Sequence, residues 1–414
     1  MTTQMLNKSQ IMGDIEKQVN LLIKNAGISY KTGFLAETPL RYLPSDSSKE
    51  KSEYFKQIDE IGYSLEKLIK EKKISENVKK LKTPVFSFDD LSWTVINRLM
   101  LVIAMLTHAY WRETLPYKDV GDLMKDDSIK HLPSQLAVPL WKLSKINGIA
   151  PSMSYGLYSL WNYYKKNPEL PITLDNIDMI HSFTGTLDEK WFVWIHQVVE
   201  VTYAEAIPEL LKAYHLTTIP VPDADEHFIV EELIKTLEKS SVILRNVVSV
   251  LERMREHCDY KTYFDKVRLF YSFPKCVVFD GVEELAGKPQ EIFGETGGQS
   301  PFMHFTLAVL GISHGDDTYF PNMQRHMLKG YRDLIMSLKN SKLHDFVEQH
   351  KKNKILVRRY NMLVQSVLDW RAEHIGLVDD FIKQFGEIHG TGKPPLEWLK
   401  SLYNKAKTYL IEAV

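Results

Sequence analysis

LVQSVLDWRAEHIGLVDDFI, residues 363–382, lies within a stretch from Tyr360 to Phe385 that carries no proline and keeps helical periodicity. Val367, Trp370, His374, Leu377, Val378 and Phe381 recur at the spacing that puts them on one face of a helix. That face is apolar except for one imidazole, His374. A neutral ring nitrogen in an apolar slot, held by a rigid element, is what an axial haem ligand requires. A core histidine bonded to a backbone carbonyl is the commoner use of such a position, and this helix alone leaves both open.

Working outward, the chain of 414 residues has room for two or three domains, or for one large helical domain with a smaller companion. A hydrophobic content of 44% and a charged content of 25% are those of an ordinary globular protein. The net charge of -1, with Lys and Arg scattered, gives no reason to expect nucleic acid or an anionic membrane as partner. The first residues, MTTQMLNKSQ, show no apolar secretory segment, and the run Leu99–Leu106 is too short to span a bilayer. Cys258 and Cys276 are too few for a disulfide scaffold or a cysteine-based zinc site. A cytoplasmic protein with reduced thiols is expected.

The remaining pattern is mostly helical. Helices are predicted over Glu50–Glu71, Leu91–Ala109, Ser152–Lys166, Trp191–Tyr214, Glu226–Met254, Pro301–Leu310, Tyr331–Leu338 and Leu396–Ile411. KTPVFSFDD is a connector with an N-cap at Ser87 or Asp89, and HLPSQLAVPLWKL, with two prolines, reads as irregular. Strand signals are confined to CVVF at 276–279 and a small hairpin in the first half. FTGTLDEK, residues 183–190, is a candidate boundary.

Three further elements carry chemistry. In KWFVWIHQVVEVTYAEA, Phe192, His196, Val199 and Tyr203 share a stripe, so a second histidine sits among apolar neighbours. In FDKVRLFYSF, Arg268 is flanked by Phe264, Val267, Leu269 and Phe270. It either meets an acid or a carboxylate ligand in the interior or points outward and snorkels. In GETGGQSPF, three glycines in five residues open the backbone to a flat ligand, ahead of a helix N-terminus able to receive an anion.

With these in place the chain resembles the haem-dependent indoleamine 2,3-dioxygenase family, within the superfamily that includes tryptophan 2,3-dioxygenase. The resemblance runs in order through LPSQLAVPLWKLSK, WNYYKKNPELPITLDNIDMIHSF, WFVWIHQVVEVTYAEAIP, FDKVRLFYSF, FGETGGQSPFMHFTLAVLGI, RAEHIGLVDDFI and HGTG, covering roughly residues 100–400. It implies an all-α fold, with a small, mostly helical N-terminal domain and connecting segment over 1–183 and a large helical haem-binding domain over 184–414. It also implies haem b as cofactor, O₂ as co-substrate, a separate reductant, and cleavage of the indole C2–C3 bond of L-tryptophan to N-formylkynurenine.

Carried over by position, His374 falls on the proximal iron ligand and Arg371 on an arginine near a haem propionate. Thr296 and Gly297 fall in the glycine-rich loop over haem and substrate. Arg268 falls on the reader of the substrate carboxylate, with Phe264 beside it; Phe192 falls on the aromatic against the indole. Trp141 falls on a pocket-wall tyrosine whose hydroxyl is lost, and Thr391 on a threonine of a mobile loop. His196 stands where indoleamine enzymes commonly carry serine and where tryptophan dioxygenases place a distal histidine, so a role on the indole N–H is implied. The segment between His374 and the GTG stretch is shorter than in mammalian members. Two other outcomes stay open: oxidation or rearrangement of a modified tryptophan in secondary metabolism, and a non-enzymatic haem binder or sensor.

Overall fold

The computed structural model describes residues 8–45, 48–117, 122–123, 126–218, 225–313, 319–381 and 395–414. Most of the expected helices form, in an all-α architecture with a few short strands. In chain order they include α1 (Lys8–Ala26), α2 (Lys49–Glu71), α3 (Trp93–Thr114), α4 (Ser134–Asn147), α5 (Leu187–Tyr203) and α6 (Ala206–Thr218). Then follow α7 (Glu226–Glu252), α8 (Pro301–Leu310), α9 (Lys329–Ser337), α10 (Lys354–Phe381) and α11 (Pro395–Lys407).

Helix α7 is the spine of the C-terminal half. Its buried stripe, from Leu233 through Leu237, Leu244 and Val247 to Leu251, takes α10 along one side and α5 along another. Ser240 and Ser241 are fully buried in that stripe, and small side chains let a neighbouring helix approach closely. The Ser366 hydroxyl on α10 reaches the Ser241 carbonyl at 3.3 Å. Because α5 carries His196 and α10 carries His374, one shared partner sets where both histidines lie. The N-terminal α1 packs on α6 and α9, and the apolar core runs without a break across position 183.

Helix α3 is buried all round from Val95 to Ala109, as a helix with apolar residues on every face must be, and it carries Asn97, Arg98, Thr107 and His108 into the interior with it. His108 on it joins three segments. Its Nδ1–H donates to the Phe270 carbonyl at 2.7 Å, and its Nε2 accepts from the Met153 N–H at 3.2 Å. These bonds fix the neutral tautomer and anchor the turn that follows Arg268. Strand β1 (Lys130–Leu132) lies parallel to β4 (Cys276–Phe279), and β5 (Gln290–Glu291) pairs antiparallel with β4. Strands β2 (Tyr164–Lys165) and β3 (Ile177–Asp178) form the small antiparallel pair expected in the first half.

Several expected boundaries are corrected. The N-cap before α3 is Ser92, not Ser87 or Asp89. HLPSQLAVPLWKL is β1 followed by α4, with Pro133 at the cap; Pro139 inside the helix gives up one backbone bond without ending it. Residues 152–166 are not a helix: one π-type turn spans Gly156–Leu160. Buried Asn162 then bonds both the carbonyl and the N–H of His181, drawing the chain into β2. The single helix expected over Trp191–Tyr214 breaks after Tyr203, because the Pro208 ring would strike the carbonyl of Ala204 in a continuous helix.

His108→Leu keeps a similar volume but strands the Phe270 carbonyl and the Met153 N–H in the interior. A loss of about 2–4 kcal/mol in urea unfolding is expected. A loss below about 0.5 kcal/mol would show that the tie between α3 and the Arg268 turn is immaterial.

Candidate active site

His374 sits on α10 between buried Val367 and buried Leu377, with Trp370 one turn before it packed edge-on to Phe302 at 4.7 Å. The sequence expectation of an apolar stripe with a single imidazole is therefore met. Neither nitrogen of His374 has a hydrogen-bond partner among the described residues, which removes the carbonyl-bonded core reading. Burial holds its pKa down at about 4, with His196 and Arg371 nearby adding to the effect. Arg371 itself is buried, and burial lowers its pKa to about 10.

His196 faces the same space from α5. Its Nδ1–H donates to the Phe192 carbonyl at 2.7 Å, so Nε2 carries the lone pair. A Cβ built on Gly297 would lie 4.0 Å from that Nε2. Burial lowers the His196 imidazole to about 4. Phe192, His196 and His374 are only half-buried and Gly297 is exposed, although protein surrounds them closely enough to suppress both imidazole charges. The two observations together describe a hollow between α5, α10 and the glycine-rich loop.

Aromatic rings wall this hollow. Phe192 lies 4.5 Å from the His196 ring and 4.6 Å from Tyr263, with Tyr271 at 6.0 Å. Tyr155 meets His196 edge-on at 5.6 Å. Arg268 opens a tight turn, Arg268–Tyr271, immediately after the π-type turn Tyr263–Val267. It is buried, so the snorkelling alternative is removed, and its guanidinium lies 5.2 Å from the Phe264 ring centroid. Burial lowers its pKa, partly offset by Tyr263.

The glycine-rich loop is narrower in purpose than its composition implies. A side chain at Gly294 would overlap the Tyr271 carbonyl, and one at Gly298 would overlap the Tyr319 hydroxyl. Only Gly297 faces the hollow. Thr296 uses its hydroxyl to accept from the Gly298 N–H at 3.3 Å. Behind the loop, Glu200 accepts from Ser300 Oγ at 2.6 Å and from the Tyr155 hydroxyl at 3.0 Å. Burial raises this carboxyl to about 7, against the pull of those two bonds.

Trp141 is not among the rings around His196: it packs on Phe279 at 5.7 Å and gives its Nε1–H to Glu284. Tyr155, which the sequence reading passed over inside a supposed helix, holds the aromatic place beside His196. Tyr263, rather than Phe264, turns onto Phe192. Tyr158, Tyr271 and Glu295 were likewise passed over, although Tyr271 and Glu295 lie within stretches singled out above. Thr391 lies outside the described residues.

The donor set suits a cofactor that brings its own metal ligands. Among the described residues no cluster of three or more His, Cys, Asp or Glu side chains could hold a bare ion. One unpartnered, neutral imidazole facing a hollow is what a metal macrocycle needs from a protein. Also among the described residues, no helix is long and apolar enough to cross a membrane.

The sequence profile of the family described as indoleamine 2,3-dioxygenase matches residues 23–388. The chain is 29% identical to indoleamine 2,3-dioxygenase 1 of Rattus norvegicus, over 87% of this chain and 84% of that protein. It is 30% identical to indoleamine 2,3-dioxygenase 1 of Mus musculus, over 78% and 77%. It is 25% identical to the 6-hydroxytryptophan 2,3-dioxygenase of Fusarium equiseti, over 87% and 85%.

Both imidazole pKa values lie below the ordinary 6.5, so each ring stays neutral from pH 7 down to about 4 and takes up its proton only below that. Ring-nitrogen NMR signals, assigned through His196→Gln and His374→Gln, are expected to titrate with midpoints near 4. A midpoint near 6.5 for either would contradict its enclosure.

Proposed function

Because the chain belongs to the indoleamine 2,3-dioxygenase family, and is thus a dioxygenase within the oxidoreductases, we propose that it cleaves the indole C2–C3 bond of a tryptophan-type amino acid with O₂, giving N-formylkynurenine from tryptophan itself. The observation that carries this reading is the pairing of unpartnered His374 with a second neutral imidazole, His196, across one aromatic-walled hollow.

His374 would hold haem b, with Arg371 near a propionate and Gly297 leaving room over the ring. When bound, haem supplies the iron at which O₂ is activated. Everything else falls to the protein. Arg268 binds the substrate carboxylate by a two-pronged ion pair, and Phe192 holds the indole by ring contact. His196 Nε2, its proton excluded by the Nδ1 bond to Phe192, accepts the indole N–H. That bond fixes the ring's rotation and leaves the proton on the indole nitrogen. The buried walls keep water from the reacting carbons. Electrons for the resting protein come from an unidentified reductant, and we place the protein in the cytoplasm.

A modified tryptophan as natural substrate is the second reading. The name of the Fusarium relative supports it, as do the tyrosines around the hollow, which a plain indole does not require.

His374→Ala should fold and lose haem affinity by at least about tenfold, read as Soret absorbance per chain after gel filtration. Unchanged haem content would remove His374 from the iron.

Arg268→Ala should cost tryptophan about 2–4 kcal/mol in kcat/KM while leaving tryptamine, which has no carboxylate, nearly unaffected. Equal losses on both substrates would make Arg268 structural.

A further inference from the structure

The glycine-rich loop has few side chains with which to pack itself. Gly294, Gly297 and Gly298 give it the backbone freedom that suits a flat ligand, and the same freedom makes it costly to hold in one place. Gly297 nevertheless has a defined place against the hollow: a Cβ built on it would lie 4.0 Å from His196 Nε2. Its neighbour Gly298 is gripped from two sides. His304 Nε2, on α8, donates to the Gly298 carbonyl at 2.8 Å, and the Tyr319 hydroxyl lies against Gly298 where no Cβ could fit.

Both grips are backed by one short helix, Tyr319–Gln324. Tyr319 opens it. Gln324 closes it and donates its Nε2–H to His304 Nδ1 at 3.3 Å, which leaves His304 Nε2 with the proton it gives to Gly298. Phe320 meets the His304 ring edge-on at 5.1 Å. A helix of six residues has no stability of its own and keeps its place only by packing. Trp398, on α11, supplies that packing: its ring lies 4.2 Å from Tyr319 and 6.1 Å from Phe320. Helix α11 in turn packs along α10, with Leu399, Leu402 and Ala406 buried. The helix that carries His374 thus reaches the glycine-rich loop through α11, Trp398 and Tyr319.

We propose that Trp398 is a positioning residue for ligand binding in the hollow: acting mainly through Tyr319, it holds Gly298, and with it Gly297, at its distance from His196. The proposal rests on the indole-cleaving reading above. In that reading His196 and His374 meet the indole N–H and the haem iron. They stand on α5 and α10, which α7 spaces, and not on the loop. Loosening the loop therefore leaves both imidazoles in place and removes one side of the enclosure around bound substrate. A loss of that kind weakens the grip on substrate and transition state alike, so it falls on KM more than on kcat.

The test uses the haem-loaded full chain and two readouts: amide hydrogen exchange over residues 294–300, and kcat and KM for L-tryptophan. The N–H groups of Gly298, Gln299 and Ser300 are bonded within the loop, so their exchange reports its opening. Trp398→Ala should speed exchange there about tenfold while leaving 360–381 unchanged. It should raise KM about fivefold or more, with kcat moving by less than about twofold. Trp398→Phe, which keeps a ring against Tyr319, should recover most of both effects. Tyr319→Ala should loosen the loop in the same way, and Trp398→Ala should add little in that background. Unchanged loop exchange in Trp398→Ala, or full additivity of the two variants, would overturn the proposal. So would a faster loop with unchanged KM, or exchange speeded equally along α10, which would make Trp398 a general prop for that helix. If the loaded parent binds no indole, the indole-cleaving reading fails, and exchange alone then decides whether Trp398 holds the loop.

Discussion

The packing of α5 and α10 on the single helix α7 is the constraint from which the rest follows. Two histidines far apart in sequence can serve one ligand only if their helices hold a fixed spacing, and a shared apolar spine supplies that spacing without any bond between them. Leu237, Leu244 and Val247 fill the seam, while Ser240 and Ser241 keep it narrow. Close-packed interiors deform little, so the two imidazoles keep their separation whether or not the hollow is filled.

Enclosure then decides the chemistry. The hollow's histidines are uncharged because charging them in a place with little water is expensive, and the same cost pushes Glu200 and Glu295 toward their neutral forms. The interior is thus rich in groups that make hydrogen bonds and poor in fixed charge. Arg268 and Arg371 are the exceptions, and a buried guanidinium in a largely neutral hollow gives an anionic group a defined orientation.

The loops that complete the site are held by bonds rather than by apolar packing. Gln299 accepts from the Tyr155 N–H at 2.9 Å and donates to the Gly294 carbonyl at 2.7 Å, and Ser152 Oγ donates to the Phe293 carbonyl at 2.8 Å. The glycine-rich loop, the segment 152–155 and the Arg268 turn therefore form one polar frame. Buried networks of this kind are costly to break and specify a single arrangement.

The sequence by itself determined the helices that carry His196 and His374, since both residues are legible from a period of about 3.6 on apolar stripes. It also marked Arg268 and the glycine-rich loop as chemistry-bearing, because an arginine among aromatics and a cluster of glycines are local signals. The break after Tyr203 was not read, because the apolar pattern continues past Pro208 and only the structure shows the chain turning there. Only the tertiary structure decided which aromatics face the histidines. Tyr155 caps the start of one π-type turn and Tyr263 opens another, so neither obeys a helical period, and Trp141 sits beside Glu284 for reasons no local pattern records. It likewise decided which of three glycines is open. Burial and the pairing of distant polar groups are properties of the assembled chain, and no spacing along the sequence encodes them.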